Sequence, residues 1–146
     1  MSLVVIMAEK ANAGRDIAEA IGLKNIQKID GGFLSGEEGD SLFIIVHSQG
    51  NCLRLLEPEE INPNYEKWKL EDLPIIFDDD DLKPNDTYSA KRYGAIKSYL
   101  QKADYIINAG DAGREGELIQ RWILKKAEIK KPVGRLWSSS LTKDAI

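Results

Sequence analysis

Two stretches of the chain are apolar without alternation. Leu3-Val-Val-Ile-Met7 and Ser41-Leu-Phe-Ile-Ile-Val46 have the pattern of central parallel strands buried on both faces. Asp104 to Asn108 and Val133 to Trp137 are two further strand candidates. The segments between them keep helical spacing instead. Ile17, Ala18 and Ile21 make the apolar face of a helix from about Asn12 to Ile21, with Asn12 as N-cap and Gly22 as its stop. Tyr93, Ile96, Leu100 and Ala103 mark a helix over Tyr88 to Ala103. Leu118, Ile119, Trp122, Ile123 and Ala127 mark another over Arg114 to Ala127. Strands alternating with helices predict an α/β fold with a mostly parallel sheet.

The remaining segments are punctuated. Ile26 to Asp30 is a short strand candidate, followed by Gly31, Gly32, Gly36 and Gly39, with Glu37 and Glu38 at a hairpin tip. Residues 49–87 form an irregular excursion holding Pro58, Pro63, Pro74 and Pro84. Tyr65, Trp68 and Leu70 are expected to anchor it, and Leu73-Pro-Ile-Ile-Phe77 to add an edge strand. The Asp78 to Asp81 run reads as a solvated acidic loop, because hard-cation loops space their ligands around a glycine turn. Thr142 is the expected N-cap of a helix beginning in residues 138–146. The whole length, 1–146, reads as one domain.

Composition narrows the class. The chain has 146 residues, is 42% hydrophobic and 30% charged, and has a single cysteine, Cys52. One cysteine excludes an internal disulfide and a Cys-rich zinc site, which fits a reducing cytoplasm. No apolar run approaches the roughly 20 residues of a membrane helix, and Met1-Ser-Leu runs straight into the first strand without a signal-peptide pattern. The net charge of −4 hides an asymmetry: residues 1–90 carry 8 basic and 18 acidic side chains, residues 91–146 carry 12 and 6. A basic half is one mark of a nucleic-acid partner and also the ordinary outcome of solvated helix faces.

The chemistry concentrates at one turn. Tyr105-Ile-Ile-Asn-Ala-Gly-Asp-Ala-Gly-Arg-Glu-Gly-Glu117 begins as a buried strand and ends as the first turn of a helix. It carries Asp111, Glu115 and Glu117 with Arg114 and three glycines, at the carboxyl end of a strand where open α/β sheets bind ligands. Glu9 and Lys10 follow the first strand in the same way. Glu9 and Asp111 from neighbouring strand ends meet the needs of Mg²⁺, which takes one or two carboxylates and completes its shell with water and phosphate. Lys10 and Arg114 would add fixed positive charge for the same phosphate. The glycines match neither a P-loop nor a dinucleotide fingerprint, and His47, the only histidine, has no nucleophile elbow around it. Packing at a strand end is its expected role.

Ala8-Glu9-Lys10 together with Ala-Gly-Asp-Ala-Gly-Arg-Glu-Gly-Glu-Leu-Ile at 109–119 resembles the Toprim domain of type IA DNA topoisomerases, the topoisomerase III branch most closely. Asn62 to Ile76 and Arg135 to Ile146 extend the resemblance over nearly the whole chain. It implies a Rossmann-like sheet of about four mostly parallel strands flanked by helices. It also implies Mg²⁺ as cofactor, held by Glu9, Asp111 and Glu115. Glu9, Lys10, Arg114 and Glu115 would then be catalytic, with Lys10 and Arg114 contacting DNA. The implied partners are single-stranded DNA and the remaining topoisomerase domains, in a monomeric bacterial cytoplasmic protein without membrane attachment. In such enzymes a tyrosine of another domain forms a 5′-phosphotyrosyl link, a strand passes, and the break is rejoined. No tyrosine here matches it, so this chain is expected to be inactive alone, with residues 138–146 leading toward a downstream domain.

Two positions depart from the family pattern. The usual Asp-x-Asp reads Asp111-Ala-Gly113, which removes one metal carboxylate that Glu115, Glu117 or water would have to replace. The family's Gly-His-Leu reads Gly50-Asn51-Cys52. Two other readings use the same residues: a Toprim primase or nuclease working without a covalent protein–DNA link, and a non-catalytic DNA-binding module in which Gly113 marks a decayed metal site.

Overall fold

The structure, a computed structural model, describes residues 1–78 and 80–146. The run Asp78 to Asp81 therefore includes one position outside the described residues. Of its described members, Asp81 turns its carboxylate back to accept from the Asp78 N–H at 2.6 Å.

The strands are β1 (Ser2–Ala8), β2 (Lys24–Lys28), β3 (Leu34–Glu38), β4 (Ser41–His47), β5 (Leu53–Leu55), β6 (Leu82–Pro84), β7 (Tyr105–Ala109) and β8 (Val133–Arg135). The helices are α1 (Ala11–Ala20), α2 (Pro58–Ile61), α3 (Thr87–Lys102) and α4 (Arg114–Lys126). Six strands form the main sheet in the order β2-β3-β4-β1-β7-β8. β4, β1, β7 and β8 are all parallel, the four-stranded unit anticipated above, and the β2–β3 hairpin adds to the β4 edge in antiparallel pairing. The hairpin turns at Gly39 and Asp40, so Glu37 and Glu38 lie within β3 rather than at the tip.

β1 explains the layering. Val4 through Ala8 are all buried, and successive side chains of a strand point to opposite faces. Val4, Ile6 and Ala8 pack with Ala13, Ile17 and Ala18 of α1. Val5 and Met7 pack on the other face with Tyr93, Ile96 and Leu100 of α3 and with Ile119 and Ile123 of α4. An unalternating apolar run is needed where helices cover both faces. Each such side chain contributes about 1.5–3 kcal/mol on burial.

The helices differ from expectation at two points, the start of α1 and the segment after Thr142. α1 starts a residue earlier than Asn12: Lys10 holds the N-cap position in extended conformation and makes no side-chain cap bond. The chain leaves β1 through Glu9 straight into the helix, and Gly14 already donates to the Lys10 carbonyl at 3.1 Å. Gly22 does end α1, at φ 73°, a region glycine enters freely. Asp86 caps α3 by accepting from the Ser89 N–H at 2.7 Å. Residues 142–146 make a single turn, with the Ala145 N–H bonded to the Thr142 carbonyl, and no helix.

The excursion is organised by polar contacts. β5 and β6 pair antiparallel, and Glu60 of α2 accepts from Arg54 on one strand and Lys83 on the other. Leu73 to Phe77 forms no strand. Pro74 offers no N–H to a ladder, and Leu82–Pro84 takes the pairing position instead. Trp68 and Leu70 do not anchor the segment; they are 55% and 82% exposed.

Candidate metal and phosphate centre

The centre stands on one register relationship. Ala8 pairs with Ala109 on one side and with His47 on the other. Glu9 and the Gly110-Asp111 turn therefore leave neighbouring strands at the same edge of the sheet. Glu9 is 7% exposed. Lys10 spans the two acids, its Nζ lying 3.9 Å from Glu9 Oε1 and 3.8 Å from Asp111 Oδ2. Burial pushes the Glu9 carboxyl above its ordinary pKa, and the Asp111 charge pushes it further; Lys10 and the Asp111 N–H partly offset both.

Two glycines bring the turn together by close approach. A Cβ on Gly110 would lie 2.5 Å from Gln120 Cγ, and one on Gly116 would lie 2.4 Å from the Asp111 carbonyl oxygen. α4 thus packs its first turn directly on the Asp111 backbone. Gln120, fully buried, reaches from α4 to donate to the Ala8 carbonyl at 3.4 Å, tying the helix to the end of β1. Gly113 has a different setting. Its φ of 177° is extended backbone, and nothing lies within 4 Å of a Cβ placed there.

Of the residues singled out by sequence, the structure brings Glu9, Lys10 and Asp111 together. Arg114 and Glu115 lie in the first turn of α4, exposed, and pair with none of those three among the described residues. Glu117 is engaged elsewhere: its carboxylate accepts from Arg121 Nε at 2.8 Å and from Arg135 Nε at 2.9 Å. Burial raises its pKa, and the two guanidinium bonds outweigh that and hold it below the ordinary value.

Arg135 is a residue the sequence reading did not single out. Its Nη1 donates to the carbonyls of Asn108 at 3.2 Å and Gly110 at 2.9 Å, its Nη2 reaches the Asp111 carbonyl at 3.3 Å, and its guanidinium stacks 4.7 Å from the Trp137 ring centre. It is a positioning residue for the acidic turn. The signal for it was its place at the carboxyl end of the last strand, parallel to β7, the same position that drew attention to Glu9 and Asp111. His47 packs as expected: Nε2 donates to the Gly32 carbonyl at 3.1 Å, and the ring meets Phe33 edge-on at 5.4 Å.

Among the described residues no group of three His, Cys, Asp or Glu side chains gathers closely enough to hold a metal ion. The donor set nevertheless fits Mg²⁺, which takes hard oxygen ligands, needs only one or two protein carboxylates and dehydrates reluctantly. Glu9 and Asp111 supply two carboxylates around one positive charge, now that of Lys10. Among the described residues no helix is long and apolar enough to cross a membrane.

The chain is 40% identical over 148 aligned positions to DNA topoisomerase 3 of Bacillus subtilis, and 40% and 41% identical to the proteins of that name from Bacillus licheniformis and Bacillus cereus. Each alignment covers all of this chain and 19% of the relative, so the chain spans about a fifth of their length. Residues 4–141 match the Toprim domain family, and the chain accordingly belongs to that family.

Proposed function

We propose that this chain is the Mg²⁺-binding Toprim domain, over residues 1–146, of a bacterial type IA topoisomerase of the topoisomerase III kind, acting on single-stranded DNA in the cytoplasm. The observation that carries the reading is Lys10 bridging Glu9 and Asp111 at adjacent strand ends. Asp111, Glu9 in its ionised form, and Glu115 from the first turn of α4 would hold Mg²⁺, which when bound would orient a phosphodiester and offset charge growing on its oxygens.

The chain's own groups then divide the work. Lys10 and Arg114 bind the scissile phosphate, helped by the positive N-terminal end of α4. Glu9, its pKa raised by burial and by Asp111, retains a proton to higher pH than an exposed carboxyl. That suits it to protonate the 3′ oxygen as it leaves and to take the proton back on rejoining. The attacking tyrosine belongs to another part of the full-length enzyme. Tyr88 and Tyr105 are exposed and Tyr93 buried, and among them Tyr105 begins β7, at the opposite edge of the sheet from the centre. The isolated chain is a monomer that does not relax DNA. The four-fifths of the relatives' length that this chain does not span supplies the strand gate.

The test is an NMR-monitored Mg²⁺ titration of the chain, with Asp111→Asn beside the wild type, followed by plasmid relaxation. Saturable shifts at Glu9 and Asp111, lost in Asp111→Asn, with no relaxation by the chain alone, are expected. Absence of any saturable shift in the presence of a single-stranded oligonucleotide would refute the metal role, and relaxation by the chain alone would refute its dependence on other domains.

A further inference from the structure

A second cleft opens on the same edge of the sheet, on the far side of β1 from Asp111. It encloses about 540 Å³, and Arg15, Lys28, Arg92, His47 and Gln49 line it together with the backbone of Gly31 and Gly32. No carboxylate is among its lining residues, in a chain whose net charge is −4. Three cations from three separate elements converge there: Arg15 from α1, Lys28 from the end of β2, Arg92 from α3.

The cations are arranged differently. Arg92 is fixed: it donates to the Gly31 carbonyl at 2.7 Å, the His47 carbonyl at 3.4 Å and the Tyr88 hydroxyl at 2.8 Å, and it stacks 5.1 Å from the Phe33 ring centre. Three donor contacts leave part of its five-donor fork open. Arg15 and Lys28 are exposed and have no ion-pair partner among the described residues. Such an unneutralised group of cations in a concave site concentrates anions.

His47 is the ring in the lining of this cleft. It is 3% exposed. Its Nε2 faces the Gly32 carbonyl and so carries a proton, while Nδ1 is buried without any hydrogen-bond partner. Burial, together with the charges of Arg92, Arg15 and Lys28, lowers the His47 pKa and favours the neutral ring, so an anion is held by the three cations, and His47, in the cleft lining, reports on it.

We infer that this cleft is a phosphate-binding subsite, separate from the Glu9–Asp111 centre, that takes a backbone phosphate of a nucleic-acid strand passing along the carboxyl edge of the sheet. The identity of the occupant rests on the nucleic-acid reading above; the anion site rests on the cleft alone. Ala8 pairs with both His47 and Ala109, and neighbouring strands lie about 4.8 Å apart, so the backbones of His47 and Ala109 are about 10 Å apart along one edge. The loop after β4 joins them: Ser48 Oγ and the Gly50 N–H both approach the Glu9 carbonyl at 3.4 Å.

The experiment titrates the 146-residue chain first with inorganic phosphate and then with an eight-nucleotide oligothymidylate, reading the His47 ring resonances and the Lys10 and Asp111 amides. The double substitution Arg15→Gln, Lys28→Gln removes two exposed cations without touching the core, and Lys102→Gln serves as the charge control. The expected result is a saturable His47 shift with either probe, weakened at least tenfold in the double variant and little changed in Lys102→Gln. The salt dependence of oligonucleotide binding should become shallower by about 0.7 in log–log slope for one lost phosphate contact. His47 resonances that ignore phosphate, or respond equally in the double variant, would overturn the subsite. Oligonucleotide shifts at Lys10 and Asp111 without any at His47 would do the same and leave the proposed function standing. A phosphate response at His47 with no oligonucleotide binding anywhere would uphold the anion site and remove the nucleic-acid reading.

Discussion

Arg135 Nε donates to Glu117 Oε2 at 2.9 Å, and this bond keeps the Glu117 carboxylate occupied by arginine at the edge of the acidic turn. The same guanidinium bonds the carbonyls of Asn108 and Gly110, so one side chain of β8 sets the backbone that presents Asp111. Charge-assisted bonds of this kind contribute about 1.5–3 kcal/mol. Arg135→Ala should lower the unfolding free energy by about 2 kcal/mol in urea titration and shift the amide resonances of Asn108 to Asp111. A loss below about 0.5 kcal/mol would mean that the turn holds its shape without the arginine.

Gly116 and Gly113 should respond in opposite directions to substitution. A Cβ on Gly116 meets the Asp111 carbonyl at 2.4 Å and its nitrogen at 2.9 Å, and overpacking against backbone costs about 1–3 kcal/mol. Gly116→Ala should destabilise by that amount and displace Asp111. Gly113→Asp meets nothing within 4 Å and requires no unusual backbone. Aspartate is also a better N-cap than glycine by a few tenths of a kcal/mol. It should fold at least as stably and tighten Mg²⁺ by roughly tenfold, as an added ligand charge does in carboxylate sites. Calorimetric Mg²⁺ titration of both variants decides this, and a Gly113→Asp protein no tighter than wild type would contradict it.

Acid should loosen the excursion through Glu60. Hydrogen bonds from Arg54 and then Lys83, with the Glu57 N–H, depress its pKa to about 2. Its folded pKa lies below the unfolded value, so the native state binds fewer protons and this contribution is fully present above about pH 4.5. It is lost as the pH falls through about 2. Side-chain carboxyl NMR should find Glu60 titrating well below the other glutamates, with β5 and β6 amides moving in step. Titration near 4.5 would show that the Arg54–Glu60–Lys83 cluster does not form in solution.

Cys52 should be inert in the folded chain. It is 3% exposed, and burial pushes its thiol up to about 11. Thiolate is the reactive form, so at pH 8 a disulfide reagent should label it roughly a hundredfold or more slowly than an unfolded control. Labelling at the rate seen in urea would contradict the packing of Cys52 in the core.

Much of this was legible in the linear order of residues. The unbroken apolar runs at Leu3–Met7 and Ser41–Val46 could serve only as strands covered on both faces, and the 3.6-residue stripe of α3 predicted its buried side, whereas in α4 Leu118 of the expected stripe is 45% exposed and Gln120, outside it, is fully buried. The Glu9-Lys10 pair and the Asp111 turn stood out because charged groups directly after buried strands are costly unless something uses or solvates them. The reading failed at the Asn12 cap, the Leu73–Phe77 strand, the Thr142 helix and the anchoring of Trp68 and Leu70: α1 starts directly behind Glu9, Pro74 has no N–H for a ladder, and the excursion is held by Glu60 with Arg54 and Lys83 instead.

Local pattern thus determined which segments become strands and helices and which side chains bear the chemistry, because periodicity records burial and turn residues record backbone geometry. Only the tertiary structure decided which strands are neighbours. The order β4-β1-β7-β8 puts Ala8 between His47 and Ala109, and from that follow the meeting of Glu9 with Asp111 and the basic cleft beside them. The reach of Arg135 over the carbonyls of β7, and the convergence of Arg15, Lys28 and Arg92 on one space, depend equally on pairing across long sequence separations. Long-range pairing is selected by the packing of whole faces against one another, and no short window of sequence contains it.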